Sequence, residues 1–182
     1  MKRLFLYASL LLLTQCSKCK DDPEPKNPED ELPSATQTGA NTFGCLVNGE
    51  AWTPKGHSGT LPNFFISYDP TYAGGNIDIR AYRFPKSGNS GRQSIRLGGD
   101  DVGSIGTYAL AVSEARGASF NDDFRSGTCQ EYRSADRSVY CRGTLTLTRL
   151  DATVASGTFE FVLAKPGCDT IRVTQGRFDR KL

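Results

Sequence analysis

The stretch RGTLTLTRLDATVASGTFEFVL, residues 142–163, decides the fold class. In its first part, 142–150, leucines alternate with threonines, so that Leu145 and Leu147 share one face. In its last part, 156–163, phenylalanines alternate with a threonine and a glutamate in the same way. Strict alternation is typical of a strand with one buried and one solvated face. The stretch therefore predicts two neighbouring antiparallel strands that pack on a core.

The same alternation recurs towards the N-terminus and once more near the C-terminus. Asn48-Gly49 between two apolar runs predicts a hairpin with a type I′ turn, whereas residues 114–137 have no pattern that could be assigned. No window has a helical period. The sequence thus predicts a single all-β domain over 42–182, an antiparallel β-sandwich or a partly open barrel. The further strands are expected at 42–47, 50–53, 63–68, 76–84, 93–97, 107–112 and 170–175.

Composition supports strands and gives no sign of a nucleic-acid partner. Ten Phe and seven Tyr against one Met and one His favour β-structure over helix. From residue 36 onward the chain has 17 basic and 14 acidic side chains, and 13 of the basic ones are Arg. These arginines are scattered along the chain among acids, whereas a nucleic-acid binder concentrates them in a patch. We therefore expect solvated strand faces and no nucleic acid.

The first fifteen residues, MKRLFLYASLLLLTQ, have the pattern of an export signal. Lys2 and Arg3 supply the positive start, and the apolar run 4–13 is too short for a membrane-spanning helix, which needs about 20 residues. The run ends in Leu-Thr-Gln-Cys, which resembles a bacterial lipobox with Cys16 as the lipidated residue. Residues 1–15 are accordingly predicted to be a lipoprotein signal peptide.

The segment that follows, 16–41, is expected to be a disordered, lipidated linker. It contains four Pro and six acids and almost no apolar side chains, so it cannot offset the entropy of folding. We expect anchoring in the outer membrane through the N-terminal lipid. Both the periplasmic and the cell-surface side remain open.

Four cysteines lie within the predicted domain, an even number in a chain expected to be exported. This predicts two disulfides, with three possible pairings. The favoured pairs are Cys129–Cys141, which would close a loop, and Cys45–Cys168, which would join the first strand to the last. A metal site would need paired C-x-x-C spacings, which these four cysteines lack, so we expect no metal and no cofactor.

No catalytic residues are predicted. His57 is the only histidine, and the G-x-S-x-G turn that a hydrolytic triad would use is absent from the sequence. Acids on different loops, such as Asp69 and Glu131, could in principle serve a glycosidase. The acidic doublets are interpreted as turn residues rather than calcium ligands; they are Asp100-Asp101 and Asp122-Asp123.

Aromatic side chains near strand ends give the one indication of binding. Tyrosine provides a large contact area at low entropic cost and suits sugar and peptide surfaces. Trp52 is expected in the core. The candidate ligand-contact aromatics are Tyr68, Tyr72, Tyr82 and Tyr108.

The stretches 37–54, 143–151 and 156–179 resemble an uncharacterised family of Bacteroidota lipoproteins. The resemblance implies a lipid-anchored, β-rich domain outside the cytoplasm and transfers no functional residue. Cys45 and Cys168 lie within these stretches, which supports their pairing.

The leading functional hypothesis is a non-catalytic, envelope-anchored binding or accessory module for a glycan or an envelope protein. One alternative is a hydrolase of envelope polymers that uses loop carboxylates. Another is a structural subunit of an envelope assembly, which would expose an apolar patch or an open sheet edge.

Replacing the predicted lipidation site tests the anchor. We expect Cys16→Ser to move the protein from the membrane fraction to the soluble fraction, because the lipid would be its only attachment. Fractionation followed by immunoblotting measures this, with Cys19→Ser as the control. A Cys16→Ser variant that stays in the membrane fraction would contradict the prediction.

Overall fold

The computed structural model describes residues 27–84, 91–112 and 115–182. The chain forms two antiparallel sheets that pack face to face, with strand orders β2-β1-β11-β10-β9-β6 and β3-β4-β5-β7-β8. This confirms the predicted all-β class, and the two separate sheets make it a sandwich rather than a barrel. Within the described ranges, no helix has the length and apolar character needed to cross a membrane.

The strands largely follow the predicted runs. Two short 3-10 helices, Pro28–Glu31 and Gly127–Gln130, precede β1 and β8. The strands are β1 (Thr42–Val47), β2 (Glu50–Trp52), β3 (Phe64–Asp69), β4 (Asn76–Arg83), β5 (Gln93–Gly99), β6 (Gly106–Ala111), β7 (Arg116–Asp122), β8 (Glu131–Arg133), β9 (Tyr140–Leu150), β10 (Val154–Ala164) and β11 (Ile171–Lys181).

The core lies between the two sheets, and the alternation in the sequence decides which residues enter it. Burying one Leu, Ile or Phe side chain stabilises the fold by about 1.5–3 kcal/mol, so a register that reversed the faces would be strongly disfavoured. Trp52 is buried as predicted. In the runs where the sequence alternates, the apolar residues of one face are all buried: Ile77, Ile79, Ala81, Ile95, Leu97, Leu145, Leu147, Phe159, Phe161, Leu163, Ile171 and Val173.

Local geometry confirms the first hairpin, and two strands lie in the region that could not be assigned from the sequence. Asn48 and Gly49 have φ values of 51° and 87°, as a type I′ turn requires. The unassigned residues 114–137 contain β7 and β8, whose Phe120 and Tyr132 are fully buried.

The cysteines do not pair as expected. One disulfide joins Cys129 to Cys168, with 5.5 Å between the Cα atoms, while Cys45 and Cys141 are buried free thiols. The predicted pairs Cys129–Cys141 and Cys45–Cys168 are therefore wrong. The two free thiols cannot bond to each other either. They lie on β1 and β9, which β11 and β10 separate by about 14 Å, beyond the roughly 7 Å that a disulfide spans.

Burial also keeps these thiols unreactive, since desolvation raises the pKa of Cys45 to about 12 and that of Cys141 above its usual value.

The observed disulfide ties one sheet to the other. Cys129 precedes β8, and Cys168 lies in the connection from β10 to β11. The same connection is held by the hydroxyl of Tyr132, which donates to the carbonyl of Asp169 at 2.8 Å. Because β8 has only three residues and lies at a sheet edge, these links add to its short pairing with β7 in fixing its position.

The folded domain begins before the predicted boundary at residue 41. Leu32 is buried, and the segment 36–40 packs on β11 through the carboxylate of Asp179, which is completely buried. Residues 27–41 are thus part of the domain rather than of a linker, whereas the predicted signal peptide and Cys16 lie outside the described residues. Asp179 accepts hydrogen bonds from Thr36 Oγ1, Thr38 N, Gly39 N, Ala40 N and Ser156 Oγ at 2.6–3.1 Å.

The ionised form of Asp179 is strongly favoured. Burial raises the pKa of this carboxyl, but the hydrogen bonds from Ser156, Thr36 and the backbone of Ala40 and Gly39 outweigh it. The resulting pKa lies well below its usual range. A group with a lowered folded-state pKa stabilises the fold above its unfolded pKa of about 4, and this contribution is lost as the pH falls.

Asp179→Asn should lower the free energy of unfolding by about 2–3 kcal/mol at pH 7, because several buried donors lose a charged acceptor. The difference from wild type should narrow as the pH falls below about 4. Urea unfolding of residues 27–182 at several pH values measures both effects, with Glu160→Gln, exposed on β10, as the control. Equal free energies of unfolding for Asp179→Asn and wild type at pH 7 would refute the stabilising role of the Asp179 carboxylate.

Candidate functional site

The outward face of the five-stranded sheet carries a groove of about 930 Å³. It runs over β4, β5, β7 and β8, and its floor is low because β5 and β7 contribute small residues. Gly98 must remain a glycine, because a Cβ there would lie 2.1 Å from the Ile77 carbonyl oxygen. At Gly117 a Cβ would lie 1.9 Å from Ser134 Oγ, so the side chain of Ser134 already occupies the space above this glycine. Backbone packing therefore keeps the floor bare at Gly98.

Strand register places three arginines in one line across this face. Arg80 on β4 is opposite Arg96 on β5, Arg96 is opposite Ser119 on β7, and Ser119 is opposite Arg133 on β8. Neighbouring strands lie about 4.8 Å apart, so the line extends over about 14 Å. We call Arg80, Arg96 and Arg133 the arginine row.

A second line of polar residues runs beside the arginine row. Tyr82 on β4 is opposite Ser94 on β5, Ser94 is opposite Asn121 on β7, and Asn121 is opposite Glu131 on β8. We call these four residues the polar row. Hydroxyl, amide and carboxylate groups thus stand one strand apart along the groove.

Asp78 holds two members of the arginine row side by side. Its Oδ1 accepts from Arg96 Nε at 2.8 Å and its Oδ2 from Arg96 Nη2 at 3.2 Å, and Oδ2 also accepts from Arg80. Burial raises the pKa of Asp78, but the hydrogen bonds from both arginines outweigh it and the pKa lies below its usual value. Asp78 is therefore a permanent counter-ion within the groove at neutral pH.

Positive charge remains after this pairing. Among the described residues that line the groove are five arginines and two acids, which leaves a net charge of +3. Arg96 and Arg133 have side chains that are 59% and 63% exposed, so their remaining donors face solvent. Arg80 Nε is buried without a hydrogen-bond partner among the described residues. The charged lining residues are Asp78, Arg80, Arg92, Arg96, Glu131, Arg133 and Arg137.

The four tyrosines singled out in the sequence do not come together. Tyr68 and Tyr108 are partly buried against the core, and Tyr72 is exposed in the connection between β3 and β4. Only Tyr82 lines the groove, where Arg92 Cζ lies 5.1 Å from its ring centroid and Phe65 stacks at 6.1 Å. The four tyrosines therefore do not form the expected aromatic platform. The described lining of the groove has one of them, Tyr82, together with five arginines.

The other candidate residues lie apart from one another. His57 is exposed in the β2–β3 connection. Asp69 and Glu131 lie on β3 and β8, the two edges of the five-stranded sheet, about 19 Å apart by strand spacing. A glycosidase pair needs about 5–10 Å, so these two acids cannot act together.

The acidic doublets have the expected turn roles only in part: Asp101 and Asp122 act locally, whereas Asp100 and Asp123 accept hydrogen bonds across the sheet. Asp101 has a φ of 55°, and Asp122 Oδ1 accepts from the backbone of Phe124 at 3.1 Å. Asp100 accepts from the Asn76 side chain and Asp123 from the backbone of Arg92. In the part of the chain that the structure describes, no three His, Cys, Asp or Glu side chains gather as a metal site requires.

Comparison with known protein families, with curated proteins and with solved structures finds no match to this chain.

Proposed function

We propose that the protein is a membrane-anchored module outside the cytoplasm that binds a glycan in the groove of the five-stranded sheet. The observation that carries the proposal is the groove itself, with a floor kept bare at Gly98 and with donors and acceptors in two parallel rows. Sugars offer hydroxyl groups at close intervals, and aligned polar side chains on a rigid sheet can hydrogen-bond to several of them at once.

The carboxylates of the groove favour binding over hydrolysis. A general acid needs a raised pKa, whereas two arginines lower the pKa of Asp78. Glu131 accepts from Arg133 Nε at 2.5 Å and lies three strands from Asp78. Neither acid has the environment or the separation that glycoside cleavage uses.

The path of the N-terminal segment fits an anchored module. Residues 36–40 are held on β11 of the six-stranded sheet by Asp179, and the helix Pro28–Glu31 contacts β1 and β2. This segment therefore leaves the domain from the six-stranded sheet, while the groove faces away on the other one. A lipid at Cys16 would attach the chain without covering the groove with residues 27–41.

Blocking the groove tests this function. Ser119→Tyr places a ring between Arg96 and Arg133 on an outward position, and Thr158→Tyr adds the same ring to the exposed face of β10. Residues 27–182 contain both sheets and the segment held by Asp179, so they serve as the soluble form. On an array of neutral and acidic glycans we expect Ser119→Tyr to weaken binding by about tenfold or more, or about 1.4 kcal/mol, and Thr158→Tyr to bind as wild type does.

Unchanged binding by Ser119→Tyr, or equal losses in both variants, would contradict a site in the groove. Far-ultraviolet circular dichroism of the two variants separates loss of binding from loss of folding.

A further inference from the structure

We infer that the groove selects an acidic glycan, a polysaccharide whose uronic acid residues bring carboxylates to the arginine row. This rests on the proposed function and adds the chemical class of the ligand. Four observations support it. They are the net charge of the groove, the use of arginine for every basic side chain in its described lining, the spacing of these arginines, and the contact of Arg92 with the ring of Tyr82.

The positive charge of the domain is concentrated at this groove. Residues 27–182 have 17 basic and 17 acidic side chains, so the domain has no net charge. The described lining of the groove alone has five arginines and two acids, a net charge of +3. The rest of the domain therefore has a net charge of −3, and an anionic ligand would be attracted to this face rather than to the surface as a whole.

Every basic side chain in the described lining is an arginine. The planar guanidinium presents paired donors that match the two oxygens of a carboxylate, which the ammonium of lysine cannot do. The groove already shows this geometry, because Arg96 donates to both oxygens of Asp78. The Nε and Nη2 groups of Arg96 and Arg133 donate to Asp78 and Glu131, so a ligand carboxylate would be held by the guanidinium donors that remain, the Nη1 groups among them.

Spacing favours a polymer over a single small anion. Arg96 and Arg133 lie two strands apart, about 10 Å, with the short side chain of Ser119 between them. A chain with repeated carboxylates can reach both, whereas one small anion reaches one. The polar row runs parallel to the arginine row and offers partners for the hydroxyl groups of the same chain.

The aromatic content of the groove disfavours single-stranded nucleic acid, the other common polyanion. Such ligands are held by stacking successive bases on exposed rings. Tyr82 is the tyrosine of the described lining, and Arg92 covers it at 5.1 Å from the ring centroid. A groove with positive charge, whose one described tyrosine is already covered, suits a carboxylated sugar chain better than single-stranded nucleic acid.

Calorimetric titration of residues 27–182 with four probes tests the ligand class. The probes are galacturonate oligomers, the same oligomers as methyl esters, dextran sulfate oligomers and single-stranded DNA. We expect the galacturonate oligomers to bind most tightly. Esterification, which removes the charge and keeps the sugar, should weaken binding by about tenfold or more, since a hydrogen bond between two charged groups is stronger than one to a neutral ester.

Single substitutions test which arginines bind the carboxylates of the ligand. Arg96→Gln and Arg133→Gln should each weaken binding of the acid by about tenfold and leave binding of the ester unchanged, because only the acid uses the charge. Arg172→Gln is the matched control, since Arg172 is exposed on β11 in the other sheet. It should bind the acid as wild type does.

The outcomes separate this inference from the function on which it rests. If the ester binds as tightly as the acid and Ser119→Tyr weakens both, the groove binds glycans but the inferred class is wrong. If dextran sulfate or DNA binds as tightly as galacturonate, or Arg172→Gln weakens binding as much as Arg96→Gln, selection of carboxylates is refuted. If no glycan binds at the groove, the proposed function falls as well.

Discussion

The register of β4, β5 and β7 is the constraint on which the groove depends. Ile79, Leu97 and Ala118 pair across these strands and are buried in the core. Because neighbouring residues in a strand point to opposite faces, burying this line places Arg80, Arg96 and Ser119 in line on the outside. A slip of β4 or β5 by one residue would bring its arginine, Arg80 or Arg96, into the core and expose its apolar residues, which is energetically prohibitive. The core thus sets the positions of the groove residues.

The arginine row creates a repulsion that the sheet must offset. Directly opposed like charges destabilise a strand pair, and Arg80 and Arg96 are such a pair. Asp78, two residues before Arg80 on the same face, accepts from both and compensates part of that repulsion. The compensation is incomplete, because two acids face five arginines in the described lining. The described lining therefore keeps a net positive charge, which the proposed carboxylate ligand would neutralise.

The sequence predicted the strands well where both faces had a clear character, as in 142–150 and 156–163. It missed β7 because its outward residues, among them Gly117 and Ser119, are small and mask the alternation, and it missed β8 because three residues are too few to show a pattern. The same residues of β7 line the groove. A strand whose outward residues are small, as in β7, lacks the clear alternation of apolar and polar residues by which strands are recognised in a sequence.

Long-range relations could not be predicted from the sequence. The arginines of the groove are scattered along the chain, and only the register gathers them on one face. Cysteine pairing depends on how many strands lie between two positions, which the order of residues does not give. The packing of residues 36–40 rests on Asp179, about 140 residues away, so a Pro-rich polar segment that resembles a linker belongs to the domain.

Mapping the contact surface of galacturonate oligomers on isotope-labelled residues 27–182 by NMR tests the central claim most directly. The account predicts that the backbone amides whose chemical shifts change most lie on β4, β5, β7 and β8, around Tyr82, Ser94, Ser119 and Arg133. Shifts that instead cluster on the outer face of the six-stranded sheet, around Thr158 and Arg172, would contradict it.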